Sequence, residues 1–130
     1  MRILVDTNVL ISAILFHGRP RELLMKLLEG NHELFVSSYI DREFRGKVRQ
    51  KWPSKEESVL AVYQEIGLQT LESVKEHSAT LRDIKDIPIL SDAIFYDMDV
   101  ILTGDKDFLE AGLLRPKAMS VAMLWDYLDE

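Results

Sequence analysis

The chain has 130 residues, 47% of them apolar and 29% charged, and it contains no cysteine. That length and apolar share suit one domain with a core of its own, expected to span residues 1–130. Disulfides, thiolate zinc sites and cysteine nucleophiles are excluded, and no apolar run approaches the ~18–20 residues of a membrane span, so a cytoplasmic location is expected.

The net charge of -6 argues against a general nucleic-acid binder, which usually carries a basic surface. Its distribution is uneven. Between Arg42 and Lys55 six bases (Arg42, Arg45, Lys47, Arg49, Lys51, Lys55) face one acid, Glu43. Between Asp83 and Glu110 eight acids (Asp83, Asp86, Asp92, Asp97, Asp99, Asp105, Asp107, Glu110) face only Lys85 and Lys106. An acidic site beside a basic stripe suits a polyanion held near bound cations.

Arg2–Val5 reads as a short apolar strand ending at Asp6, and Val9–Phe16 as a helix with Asn8 as its cap. His17–Pro20 breaks the pattern. Pro20 opens a second helix whose Leu23, Leu24, Leu27 and Leu28 fall on one face, and Gly30 stops it. Glu33–Ser37 is the second strand. Ser38 is the expected cap of a third helix reaching about Gln50, with Ile40, Phe44 and Val48 turned inward. Ser54 and Glu57 have capping-box spacing for a fourth helix ending near Gly67.

Gly67–Leu71 is a short strand candidate, followed by a connector over Ser73–Arg82. Pro88–Met98 reads as a helix, Val100–Thr103 as an apolar strand and Phe108–Ala111 as a helical turn. Ala118–Val121 and Ala122–Tyr127 close the chain as a strand and a helix. Alternating strands and helices predict an α/β fold with a mostly parallel sheet.

Open α/β sheets bind ligands outside the carboxyl ends of their strands. Asp6 ends the first strand, Asp105 follows the fourth, Asp86 precedes a helix start, and Glu43 lies near the amino end of the third helix. Taken singly, each of these acids reads as a helix cap, a turn residue or a solvated side chain. Together they predict one acidic rim. Clustered carboxylates repel unless cations neutralise them, and an all-oxygen donor set suits Mg²⁺ or Mn²⁺. Arg42, Arg45 and Arg49, at i, i+3 and i+7, share a helix face beside Glu43 and form a candidate phosphate-binding surface.

Ile3–Leu10 and Val100–Leu109, the latter containing Thr103-Gly104-Asp105-Lys106-Asp107, resemble the opening and closing motifs of PIN domains. Ser37–Glu43 and Lys85–Ala93 resemble the family's two intervening acidic segments, in order and at suitable spacing. The resemblance implies a three-layer α/β/α sandwich with a sheet of four or five strands. It also implies a Mg²⁺- or Mn²⁺-dependent endoribonuclease. Its catalytic acids would be Asp6, Glu43, Asp86 and Asp105, with Asp6, Asp86 and Asp105 as metal ligands and Asn8 and Thr103 in support. Asp107 remains open between ligand, supporting group and cap. Asp92 competes with Asp86, but six residues on it lies about 120° round the helix. The toxins of VapC-like toxin–antitoxin pairs are nearest in character, which implies an antitoxin partner and a homodimer.

Three alternative readings stand beside this one. A haloacid-dehalogenase-type phosphatase needs a second Asp two residues after the first, where this chain has Asn8. A structure-specific DNA nuclease needs room for a duplex clamp. A catalytically silent PIN-like binding module would lack metal affinity.

Overall fold

A computed structural model describes residues 1–74 and 87–129. Five strands, β1 (Arg2–Val5), β2 (Glu33–Ser37), β3 (Gln69–Leu71), β4 (Val100–Leu102) and β5 (Lys117–Met119), form one sheet in the order β3-β2-β1-β4-β5. Every pairing is parallel, as the alternation of elements predicts. Parallel strands covered on both faces must be apolar on both, and Ile3, Leu4, Val5, Val100, Ile101 and Leu102 are all buried.

The helices are α1 (Thr7–Leu15), α2 (Arg19–Glu29), α3 (Ser38–Lys51), α4 (Glu56–Glu65), α5 (Ile87–Phe95), α6 (Lys106–Leu109) and α7 (Val121–Leu128). α1 packs against α2, α3 and α4, and α2 also meets α7. The expected stripe of α2 is buried at Leu23, Leu24 and Leu27, and that of α3 at Ile40, Phe44 and Val48. Strand order reverses direction after β3, so right-handed crossovers place the connecting helices of the two halves on opposite faces of the sheet, while α7, which follows β5, returns to α2. The result is the expected sandwich. Among the described residues, no helix is long and apolar enough to cross a membrane.

Four of the five strands run almost directly into a helix whose cap lies at the strand's carboxyl end. Asp6 caps α1, Ser37 caps α3, Asp105 caps α6 and Ser120 caps α7. Two of these caps differ from the sequence expectation. Asp6 replaces Asn8 because α1 begins two residues earlier, at Thr7. Ser37 replaces Ser38 because the Ser38 hydroxyl is engaged elsewhere. It accepts from the Ser73 N–H at 2.9 Å, while the Ser73 hydroxyl accepts from the Tyr39 N–H at 3.0 Å.

The Ser54–Glu57 capping box does not form. Pro53–Lys55 makes a 3-10 turn instead, and α4 starts at Glu56 without a side-chain cap. The last strand lies at Lys117–Met119, slightly earlier than Ala118–Val121, because Ser120 is taken as the cap of α7. Gly67 has φ +95, a conformation open to glycine, and separates α4 from β3.

Candidate active site

β1 is the hinge of the topology. It pairs with β2 on one side and β4 on the other, so the chain leaves its two neighbours in opposite directions. The carboxyl ends of β1 and β4 form the switch point, where an open α/β sheet leaves a crevice. Asp6 and Thr103 stand at those ends, and the Asp6 N–H donates to the Leu102 carbonyl at 2.9 Å.

Asp6 is buried, with 6% exposure, and its carboxylate uses both oxygens. Oδ1 accepts from the Thr7 N–H at 2.8 Å, and Oδ2 accepts from the Thr103 hydroxyl at 2.7 Å. Thr103 is fully buried and works in both directions, because its Oγ1 also accepts from the Asp105 N–H at 3.0 Å. Asp105 caps α6 through Oδ1, which accepts from the Asp107 N–H at 2.8 Å. Glu43 is brought in from α3, where its Oε1 accepts from the Thr7 hydroxyl. One chain of hydrogen bonds therefore runs from Glu43 through Thr7, Asp6 and Thr103 to Asp105.

Its electrostatics are adverse to negative charge. Burial pushes the Asp6 carboxyl above the ordinary carboxylate range, the bonds from Thr103 and Thr7 pull it back, and the charges of Glu43 and Asp105 push it up again. A hard cation would relieve that repulsion, and the donor set is all carboxylate and hydroxyl oxygen. Among the described residues, no group of three acidic or histidine side chains is close enough to hold a metal ion by itself. Asp86, the remaining expected ligand, lies outside the described residues.

Asp92 is buried on α5, with 1% exposure. Its Oδ1 accepts from the Val74 N–H at 2.7 Å, which ties α5 to the segment leaving β3. Its Oδ2 and the neighbouring Ser91 hydroxyl have no hydrogen-bond partner among the described residues. Asp107 lies on α6, half-buried, with its N–H committed to the Asp105 cap.

Asn8 is exposed at the rim, where its Oδ1 accepts from Lys47 Nζ at 3.3 Å. Lys47 belongs to the basic stretch but was not among the three residues expected to bind phosphate. It sits four residues after Glu43, on the same face of α3, so helical spacing alone was a sufficient signal. Thr7 was also missed as the group that orients Glu43.

The arginine face is differently committed at each position. Arg42, Arg45 and Arg49 line a groove of about 370 Å³ together with Ser38, Asp41 and Gly46. Arg45 Nε donates to both Asp41 oxygens at 3.0 and 3.1 Å, and its guanidinium lies 5.5 Å from the centre of the Tyr63 ring. Arg49 pairs with Glu56 at 3.1 Å. Arg42 is exposed and has no ion pair among the described residues.

An all-parallel five-stranded sheet with acidic side chains gathered at its switch point defines an α/β protein with an anionic rim. The sequence model described as PIN domain matches residues 2–107, and the chain belongs to that family.

The solved structures agree on the fold. A chain of VapBC2 from Rickettsia felis, crystallised bound to a DNA fragment from its promoter, superposes with a TM-score of 0.73 at 19% identity. That match covers 92% of this chain and 98% of the other. VapC20 of Mycobacterium tuberculosis, a toxin that cleaves the sarcin–ricin loop, gives a TM-score of 0.60 at 13% identity. Here 88% of this chain and 99% of that one are covered. No curated protein matches the chain in sequence.

Proposed function

We propose that this chain is a divalent-cation-dependent endoribonuclease and the toxin of a toxin–antitoxin pair, held in check by a cognate antitoxin and acting as a homodimer. The observation that carries the reading is the hydrogen-bonded chain from Glu43 to Asp105 through Asp6 at the β1–β4 switch point. The folds of the two VapC-type structures support it, as does membership of the PIN family.

Asp6, Asp86 and Asp105 would hold Mg²⁺ or Mn²⁺, with Glu43 assisting. Such an ion, when bound, supplies positive charge at the scissile phosphate and lowers the pKa of water. This chain's own residues prepare the site. Thr103 fixes the Asp6 carboxylate and the Asp105 backbone with one hydroxyl, so the acids that follow β1 and β4 are tied to one buried side chain. Thr7 holds Glu43. The bonds that cap α1 and α6 each occupy one side of an Asp Oδ1, which leaves further lone pairs on both carboxylates for a cation. Lys47 and Arg42 bring positive charge to the rim and attract the polyanionic strand.

Incubation of the purified chain with a single-stranded RNA and Mn²⁺, with and without chelator, tests the reading. Cleavage that leaves a 5′-phosphate, and that both chelator and Asp6→Asn abolish, is the expected result. Cleavage unaffected by Asp6→Asn overturns it.

A catalytically silent PIN-like module, the alternative named above, predicts a different response to metal. Calorimetry with Mn²⁺ separates the two, since a silent module takes up no metal.

A further inference from the structure

A cleft of about 320 Å³ opens beside the acidic chain, lined by Asn8, Val9 and Ser12 of α1, Pro20 of α2, Thr103 and Gly104, and Ser120–Ala122 at the start of α7. It shares Thr103 and Asn8 with the site already described. Thr103 forms part of its lining and donates to Asp6 Oδ2 at 2.7 Å, and Asn8 forms part of its rim and holds Lys47.

We propose that this cleft receives the base of a nucleotide flanking the scissile phosphate, and so sets which base the enzyme prefers at that position. The inference rests on the ribonuclease reading above and adds a specificity site to it.

Three features fit a nucleobase. First, the walls given by Val9, Pro20, Val121 and Ala122 are apolar and carry no charge, which suits a flat aromatic ring displaced from its stack. Second, hydrogen-bonding side chains stand among these walls. The Ser120 oxygen accepts from the Met123 N–H at 3.1 Å as the cap of α7, so its hydroxyl proton remains available to donate. Ser12 adds a hydroxyl, and the Asn8 amide nitrogen remains a donor while its oxygen accepts from Lys47. Third, Thr103 belongs both to the cleft lining and to the acidic chain, where it donates to Asp6 and accepts from the Asp105 N–H, so a strand with its phosphate at those carboxylates would pass beside the cleft. Gly104 borders open space at this edge of the cleft, since a Cβ there would meet no atom within 4 Å.

The test uses single-stranded RNA oligonucleotides that the full-length chain cleaves with Mn²⁺, in which each nucleotide flanking the cut is replaced in turn by an abasic ribose. At one position kcat/KM is expected to fall at least about tenfold, the scale set by stacking and bonding of a single base, with changes below about twofold elsewhere. Ala122→Trp, at an exposed position, fills the cleft. It is expected to reproduce that loss on the normal oligonucleotide and to become indifferent to the abasic substitution. Uniform tolerance of abasic positions by a chain that still cuts RNA overturns the base site and leaves the ribonuclease reading standing.

If no RNA is cut, the ribonuclease reading fails, and amide chemical shifts decide the cleft separately. Titration with the four ribonucleoside 5′-monophosphates is then expected to shift Asn8, Ser12, Gly104 and Ser120–Ala122, and not to do so in Ala122→Trp. Absence of those shifts overturns the proposal.

Discussion

The Thr103 hydroxyl donates to Asp6 Oδ2 at 2.7 Å, linking residues 97 apart in sequence across the β1–β4 pair. The same oxygen receives the Asp105 N–H, so one buried side chain positions two carboxylates. Thr103→Val keeps the shape and removes the hydroxyl. It leaves a buried carboxylate oxygen and a backbone N–H short of a partner, at a cost of about 1–3 kcal/mol. Thermal unfolding is expected to show that loss, at roughly 4 °C per kcal/mol for a chain of this size. Cleavage should fall with it, and Thr103→Ser should restore most of both. A valine variant as active as the parent would show that the hydroxyl does not align the site.

Asp6 carries a stability cost that serves the site. A carboxyl whose pKa is raised on folding favours the fold when protonated, and that contribution is lost as pH rises from the ordinary carboxylate range through the raised value. At pH 7, with metal removed by chelator, the ionised group therefore opposes folding. Asp6→Asn preserves an acceptor for Thr7 and can donate to Thr103. Its unfolding midpoint at pH 7 in chelator is expected to equal or exceed that of the parent, with the gap closing at pH below the carboxylate range. A variant clearly less stable at pH 7 would falsify this account of Asp6.

Cations around α3 should contribute unequally to RNA binding. Arg45 is committed to Asp41 and Tyr63, whereas Arg42 is exposed and Lys47 reaches Asn8 at the rim. Arg42→Glu and Lys47→Ala are expected to reduce the slope of log affinity against log salt by about 0.7 for each phosphate no longer neutralised. Arg45→Ala should mainly lower stability. Equal salt slopes for all three variants would mean that this face does not hold the strand.

Asp92 is expected to act in the fold. Its carboxylate holds the Val74 N–H from inside the protein, so Asp92→Ala should cost about 1–3 kcal/mol in denaturant unfolding. Mn²⁺ affinity of the folded variant should match that of the parent. Loss of Mn²⁺ affinity with an unchanged unfolding midpoint would assign Asp92 to the metal instead.

Much of this molecule was legible from local order. The apolar runs of β1, β2 and β4 and the leucine spacing of α2 are consequences of burial periodicity, which needs no tertiary information. The acidic positions after β1 and β4 were legible for the same reason, because a parallel sheet has one carboxyl edge. Cap assignment was not. Ser38 and Ser37 are equivalent to a local rule, and only the packing of Ser73 against α3 decides which hydroxyl is free to cap.

Hydrophobic period and chain order were enough to specify an α/β chain with acids at its strand ends. The partners of those acids came from the assembled sheet. Strand order brings β4 beside β1, sets Thr103 between Asp6 and Asp105, and turns the Thr7 hydroxyl to Glu43. Pairings between residues so far apart in the chain depend on a long loop being closed and a sheet assembled, and no local pattern encodes that geometry.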